Sequence, residues 1–236
     1  MKKVYLFGDS FSLFNGYIKQ KYRDVIEFNS HSSLSNDHIL KLVKKKLTKL
    51  SKENIKSKDD INIFVQLTVS TRMLVYYTEN EPAKLRLNKT YGYHSPLIEF
   101  GDKELFKDNE YYTLYPCGPE DDVLIDMIYR PYLGTFLNKN QKNILNDLLV
   151  ELNSLKAFAN LLNIKFDYIF YSNDFDDNLI NVNSEHITFY GHQSIQSYIK
   201  SNHAQFFMTP MDIHFNDEGN LWYINWLNKF YGIGDR

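Results

Sequence analysis

The stretch Val4-Tyr5-Leu6-Phe7-Gly8-Asp9-Ser10 near the amino terminus decides the fold class. A short, continuous apolar run is typical of a strand that is buried on both faces, as the central strands of parallel sheets are. Gly8-Asp9-Ser10 ends the run with turn-forming residues, which places this loop at the carboxyl edge of the predicted sheet. Open α/β sheets bind their ligands at that edge. The stretch therefore predicts an α/β protein with a candidate functional serine in its first loop.

Segments with the patterns of strands and helices alternate along the rest of the chain. Further strands are predicted at Val25–Phe28, Ile61–Leu67 and Phe166–Tyr171. The spacing of apolar residues predicts helices at His38–Leu50 (with its start at Ser35-Asn36-Asp37), Gln141–Leu162, about His192–Lys200 and about Asp217–Phe230. This alternation predicts a doubly wound parallel sheet in a single domain that covers residues 1–236.

Regular periodicity is lost between about residues 73 and 135. This segment is rich in tyrosine and holds most of the prolines. We interpret it as an irregular insertion in the domain, either a functional lid or binding surface, or a peripheral element that packs on the domain or on another subunit. Its tyrosines are suited to stacking on sugar rings, and equally to packing in a core or an interface.

The composition excludes several classes of function. The formal net charge is -2, which gives no electrostatic basis for binding nucleic acid or an anionic membrane surface. Cys117 is the only cysteine, which excludes a disulfide framework and a multi-thiolate zinc site, and we predict neither a metal nor a cofactor. No apolar run approaches the ~20 residues that span a bilayer, and the first apolar run is too short for a signal peptide. We expect a cytoplasmic protein without a membrane span.

Two polar segments, far apart in the sequence, carry candidate catalytic residues. Ser10 follows the first strand, where backbone N–H groups at a helix start can stabilise a negatively charged oxygen. Asp212-Ile213-His214 precedes the last helix and offers a general base with an acid to orient it. Alone, Gly-Asp-Ser is also a good turn, helix cap or phosphate loop, and a lone histidine is usually a surface residue. Together they favour a serine nucleophile, and we expect Asp9 to hold hydrogen bonds in the loop.

With these two segments the chain resembles the SGNH (GDSL) hydrolases, whose first block is Gly-Asp-Ser and whose last block is Asp-x-x-His. Ser33–Ile39 is similar to the second block of that family, and Val65–Arg72 falls where its third block follows the third strand. The resemblance implies a flavodoxin-like fold, a three-layer α/β/α sandwich. It also implies a role for each matching residue: catalysis by Ser10, His214 and Asp212, an oxyanion hole made by Ser10, Ser33 and Ser70, and substrate contacts from Asn36 and Arg72.

Three positions depart from the family pattern. Ser33 replaces a glycine, which is tolerated because only the backbone N–H acts there. Ser70 stands where the family has an asparagine, and losing one oxyanion donor costs on the order of 10²–10³ in rate. Asp212 lies two residues before His214, whereas the family acid lies three before, where this chain has Met211. The sequence leaves open whether Asp212 completes a triad or a backbone carbonyl orients a Ser–His dyad.

These features predict a serine esterase that removes an O-acyl group from a small-molecule or carbohydrate ester. An O-acyltransferase with the same site is the first alternative, because both activities use one acyl-enzyme. A non-catalytic protein that keeps the fold and binds a glycan, or a phosphate or nucleotide at the first loop, is the second. A homo-oligomer is compatible with the sequence.

Overall fold

A computed structural model of the chain describes residues 2–9, 12, 14–30, 36–53, 60–68, 73–76, 111–114, 130–172, 186–208 and 214–233. The strands are β1 (Lys3–Gly8), β2 (Ile26–Ser30), β3 (Ile61–Leu67), β4 (Met73–Tyr76), β5 (Tyr111–Leu114) and β6 (Lys165–Phe170). The helices are α1 (Gly16–Tyr22), α2 (Asn36–Lys52), α3 (Arg130–Leu161), α4 (Ile195–Asn202) and α5 (Asp217–Tyr231), with a short 3₁₀ helix at Ala204–Phe206.

The main sheet has four parallel strands in the order β2-β1-β3-β6. Leu6 of β1 lies opposite Phe28 on one side and Phe64 on the other, so β1 and β3 are central strands. Their apolar runs are continuous because both of their faces are covered. This confirms the α/β class and the parallel sheet. The winding direction reverses at β1, because β2 and β3 lie on opposite sides of it.

Helices cover both faces of this sheet. Tyr5 and Phe7 of β1 belong to a buried cluster that also contains residues of α2 and α3. Val4 and Leu6 point to the opposite face and belong to a second cluster, with residues of α1, α4 and α5. The alternation of side chains along one strand therefore divides the core into two layers.

Two boundaries differ from the predicted ones by more than two residues. Helix α3 begins at Arg130 rather than Gln141, so it extends into the predicted irregular segment, which also contains the antiparallel pair β4 and β5. The polar run at 138–141 interrupts the apolar pattern without breaking the helix, and Pro131 lies in the first turn, where it is tolerated. Helix α4 begins at Ile195 rather than near His192, because Ser194 caps it by accepting from the Ser197 N–H.

No helix among the described residues is long and apolar enough to cross a membrane.

Candidate active site

The structure describes two of the predicted site residues, Asn36 and His214. The other predicted residues lie outside the described part of the chain: Ser10, Ser33, Ser70, Arg72 and Asp212. Described residues close to them in the sequence, namely Asp9, Asn36, Thr68 and His214, show how the neighbouring parts of the chain are held.

Asp9 connects the loop after β1 to the end of β3. Its side chain is fully buried, and its carboxylate accepts a hydrogen bond from the hydroxyl of Thr68, the residue after β3. This agrees with the expectation that Asp9 holds the loop. A buried carboxylate is stable only when it is hydrogen-bonded, so this contact fixes the two loops relative to each other.

Asn36 connects the same strand end to the start of α2. Its Oδ1 accepts from the backbone N–H of Thr68 at 2.8 Å, and its Nδ2 donates to the Thr68 carbonyl at 3.4 Å. Asn36 is buried, and its carboxamide pairs with the backbone N–H and carbonyl of Thr68, the residue directly after β3. The Asn36 amide therefore holds the predicted second block against the predicted third block. The substrate contact predicted for Asn36 stays a prediction.

Ser12 closes the loop that includes Ser10. The Ser12 backbone N–H and hydroxyl both lie 3.0 Å from the Asp9 carbonyl, and the hydroxyl also lies 2.9 Å from Ser30 Oγ at the end of β2. This packing leaves no space for a side chain at Gly8, where an added Cβ would lie 2.0 Å from Ser12 Oγ. The glycine of the Gly-Asp-Ser motif is therefore required by the close approach of the Ser12 hydroxyl.

His214 lies in the segment that leads into α5. Its carbonyl accepts from the Met208 N–H at 2.8 Å, and Asn216 caps the helix by accepting from the Gly219 N–H at 2.9 Å. Gly219 is also enforced by packing, because a Cβ there would lie 2.6 Å from the Phe206 carbonyl oxygen. The backbone from His214 to the start of α5 is thus held by its bond to Met208 and by the Asn216 cap.

This segment is joined to the region that follows Ser10. Asn15 caps α1 and donates from Nδ2 to Asp217 Oδ1 at 3.0 Å. One aromatic stack reinforces the contact, with the rings of Phe14 and Tyr223 centred 5.8 Å apart. The beginning of α5 is therefore adjacent to the beginning of α1, although the two residues of the hydrogen bond are 202 positions apart.

His38 of the predicted second block has a strongly lowered pKa. Burial is the main cause and the positive charge of Lys41 a smaller one, and together they lower the pKa to about 3. His38 is therefore neutral at physiological pH, and it is buried in the first turn of α2. Within the described residues, no group of three or more histidine, cysteine or acidic side chains could hold a metal ion.

Thr68, Ser12 and Asn15 carry the contacts that sequence reasoning missed. Thr68 directly follows β3, Asn15 directly precedes α1, and Ser12 lies between β1 and α1. Small polar residues are common in every turn, so they are a weak signal. The partners Asp9 of Thr68, Ser30 of Ser12 and Asp217 of Asn15 are distant in the sequence and were not indicated by any spacing.

Comparisons with family models, with curated proteins and with solved structures gave no match.

Proposed function

We propose that this chain is a serine esterase of the SGNH type, with the flavodoxin-like fold of that family, which acts through an acyl-enzyme on a small-molecule or carbohydrate ester. The observation that carries the proposal is the hydrogen-bonded chain Asp9–Thr68–Asn36. It joins the three segments that resemble the first, third and second blocks of the family, at the carboxyl edge of a parallel sheet. A site that needs all three blocks requires this convergence.

The position of the fourth block supports the same proposal. The segment with His214 lies before α5, and α5 begins beside Asn15, five residues after Ser10. A general base must come within hydrogen-bond reach of its nucleophile. The Asn15–Asp217 contact brings the two segments into the same region of the molecule, as this requirement demands.

In the proposed reaction, Ser10 Oγ attacks the ester carbonyl carbon while its proton passes to the imidazole of His214. The backbone N–H groups of Ser10 and Ser33, with the Ser70 hydroxyl, stabilise the oxyanion that forms. The C–O bond to the alcohol then breaks, and His214 returns its proton to the leaving oxygen. Water, deprotonated by His214, attacks the acyl carbon of the acyl-enzyme. The bond from that carbon to Ser10 Oγ then breaks, and His214 returns the proton to Oγ, which releases the carboxylic acid and free Ser10. Asn36 and Arg72 lie near the substrate in this scheme, and Asp212 orients the imidazole.

The O-acyltransferase remains the alternative within the same chemistry. It differs only in the last step, where a hydroxyl of an acceptor molecule replaces water. The binding-protein alternative rests on the two departures at Ser70 and Asp212, which weaken the oxyanion hole and the triad. It predicts a folded protein in which Ser10 is not activated.

The test is covalent labelling of the purified chain with a fluorophosphonate, with the modified residue located by peptide mass spectrometry. We expect stoichiometric modification of Ser10 that is lost in Ser10→Ala and in His214→Ala. Ser154→Ala and His192→Gln are matched controls that should label like the natural chain. A folded protein that stays unlabelled, while a control esterase reacts fully, would overturn the proposal in favour of the binding protein.

A further inference from the structure

Tyr190 is exposed and has a backbone conformation that is unfavourable for a tyrosine. Phe189 and His192 form an antiparallel pair with two backbone hydrogen bonds, of 2.8 and 3.0 Å, so Tyr190 and Gly191 are the two residues of a tight turn. Their φ angles are 50° and 83°, the positive values that the type I′ turn requires. Asn, Asp and Gly are the usual first residue of such a turn, and a bulky side chain there is an outlier. Local strain of this kind is found at functional sites.

The Tyr190 ring is part of a group of three nearly parallel rings, Tyr190, Tyr198 and Trp222, which we name the aromatic platform. The ring centres form a triangle with sides of 4.8, 5.9 and 6.2 Å. The three interplanar angles are 23°, 3° and 25°. Nearly parallel rings whose centres lie this close cannot share one plane, so the three rings overlap in offset stacks. The Tyr190 side of this platform is open, since that residue is 56% exposed.

A buried ring supports the aromatic platform from inside. Phe189 is fully buried and meets Tyr190, Tyr198 and Trp222 edge-on, with centre distances of 5.1, 5.5 and 5.3 Å. Edge-to-face packing of this kind fixes ring orientation. The platform is therefore organised before any ligand arrives, which lowers the entropic cost of binding.

The edges of the platform are polar. The Tyr198 hydroxyl lies 3.4 Å from His203 Nε2, and His192 packs against the Tyr198 ring with centres 5.3 Å apart. A flat apolar face bordered by hydroxyl and imidazole groups is complementary to a pyranose ring, which has C–H bonds on its faces and hydroxyls on its rim. A nucleotide would add a phosphate, for which the net charge of -2 gives no general attraction.

We propose that the aromatic platform binds a neutral glycan by stacking a pyranose ring on the exposed ring of Tyr190, which Tyr198 and Trp222 support. That this glycan is the substrate rests on the proposed esterase function. That the platform binds a glycan does not depend on it. The platform adjoins the segment with His214, because Phe206 packs on Trp222 at 5.3 Å and its carbonyl accepts from the Asn216 N–H at 2.9 Å. A glycan on the platform would thus lie near the segment that leads from His214 into α5.

The strained turn provides the decisive variant, Tyr190→Asn. Asparagine removes the ring and suits a positive φ, so the folded state should be as stable as that of the natural chain or more stable. The probes are cellotetraose, xylotetraose and chitotetraose, each titrated separately up to ~10 mM against the fluorescence of Trp222 in a Trp226→Phe background; ~10 mM lies above the Kd expected of a weak site. These sugars are β-linked and expose C–H bonds on the ring faces.

We expect a saturable change with at least one of these sugars, and an affinity about tenfold lower in Tyr190→Asn at an undiminished melting temperature. Leu161→Ala, at an exposed apolar residue of α3, should bind like the natural chain. AMP is titrated in the same way as a nucleotide probe. Three results would each overturn the platform proposal: no saturable response to any sugar, unchanged affinity in Tyr190→Asn, or a saturable response to AMP alone.

The titration is repeated in Ser10→Ala so that the two proposals fail separately. Sugar binding by this variant, with no fluorophosphonate labelling of the natural chain, would remove the esterase and leave the glycan site. Labelling of Ser10 without any response to sugars would remove the glycan site and leave the esterase.

Discussion

Asn36 and Thr68 exchange two hydrogen bonds, in which the side-chain amide of the first residue of α2 pairs with the backbone N–H and carbonyl of the residue after β3. The amide thus pairs with the backbone as a neighbouring strand would, at the residue directly after β3. Because the proposed oxyanion hole is built from the loops on either side of this contact, the pair is a sensitive place to test the arrangement.

Replacing Asn36 with alanine should destabilise the fold by about 1–3 kcal/mol, because a buried N–H and a buried carbonyl of Thr68 lose a partner. Asn36→Asp keeps an oxygen that can accept from the Thr68 N–H, so that bond should be retained. The variant loses the bond to the Thr68 carbonyl and buries a charge. Urea unfolding measures the difference. Thr48→Ala, at an exposed position of the same helix, is the control and should change stability by less than about 0.5 kcal/mol. Equal effects at both positions would contradict the assigned role of Asn36.

Thr68→Val keeps the shape of the side chain and removes the hydroxyl that donates to the Asp9 carboxylate. Hydrogen bonds to charged groups contribute about 1.5–3 kcal/mol, so we expect a loss of stability in this range. Thr68→Ser retains the hydroxyl and should lose less. The comparison of the two unfolding free energies isolates the hydroxyl, and a serine variant that is weaker than valine would show that packing of the methyl group dominates instead.

Gly8→Ala places a methyl group 2.0 Å from Ser12 Oγ. We expect a cost of about 1–3 kcal/mol, as for other overpacked sites. The double variant Gly8→Ala/Ser12→Gly removes the clash and should be more stable than the sum of the two single changes predicts. A double-mutant cycle by urea unfolding measures this coupling. Strict additivity would mean that the alanine is accommodated elsewhere.

His38 should make stability depend on pH. Its pKa is lowered to about 3 in the folded state, from 6.5 when it is solvated. At pH values below 6.5 the unfolded chain therefore binds a proton that the folded chain does not, and stability falls as the pH drops from 6.5 toward 3. The slope from this residue is on the order of 1 kcal/mol per pH unit.

The measurement is urea unfolding between pH 4 and 8 for the natural chain and for His38→Leu. The variant should lose this contribution, so the difference in stability between the two proteins should change with pH below 6.5 and stay constant above it. His192→Gln is the matched control. A difference that is flat across the whole range would show that His38 has the same pKa in the folded and unfolded chains.

Asp212→Asn tests the shortened spacing before His214. If Asp212 orients the imidazole, the rate of fluorophosphonate labelling at Ser10 should fall by roughly 10⁴, as in other triads with a damaged acid. Glu218→Gln, at an exposed acidic residue of the same segment, should have a much smaller effect. A decrease of less than about tenfold in Asp212→Asn would assign the orienting role to another group, such as a backbone carbonyl.

The regular elements were largely predictable, because their signals are local. The continuous apolar run of β3 gave both of its ends correctly, and β1 extends the predicted run by one residue at each end. The start of α3 was missed because a polar run interrupts its apolar pattern and because Pro131, tolerated in the first turn, is typical of a helix boundary. The start of α4 was misplaced because a serine cap is a weak signal. The predicted nucleophile, oxyanion serines and triad acid lie outside the described residues and stay predictions.

The sequence by itself determined the α/β class, the parallel central strands and the segments that resemble the hydrolase blocks, because each depends on residues that are adjacent in the chain. The tertiary structure decided which polar groups meet. Asp9 and Thr68 are 59 residues apart, and their contact depends on the register of β1 and β3. The aromatic platform depends likewise on a turn, on α4 and on α5, which only packing brings together. Sequence patterns encode periodicity and composition, whereas a site is defined by distances between side chains, and those follow from the packed fold alone.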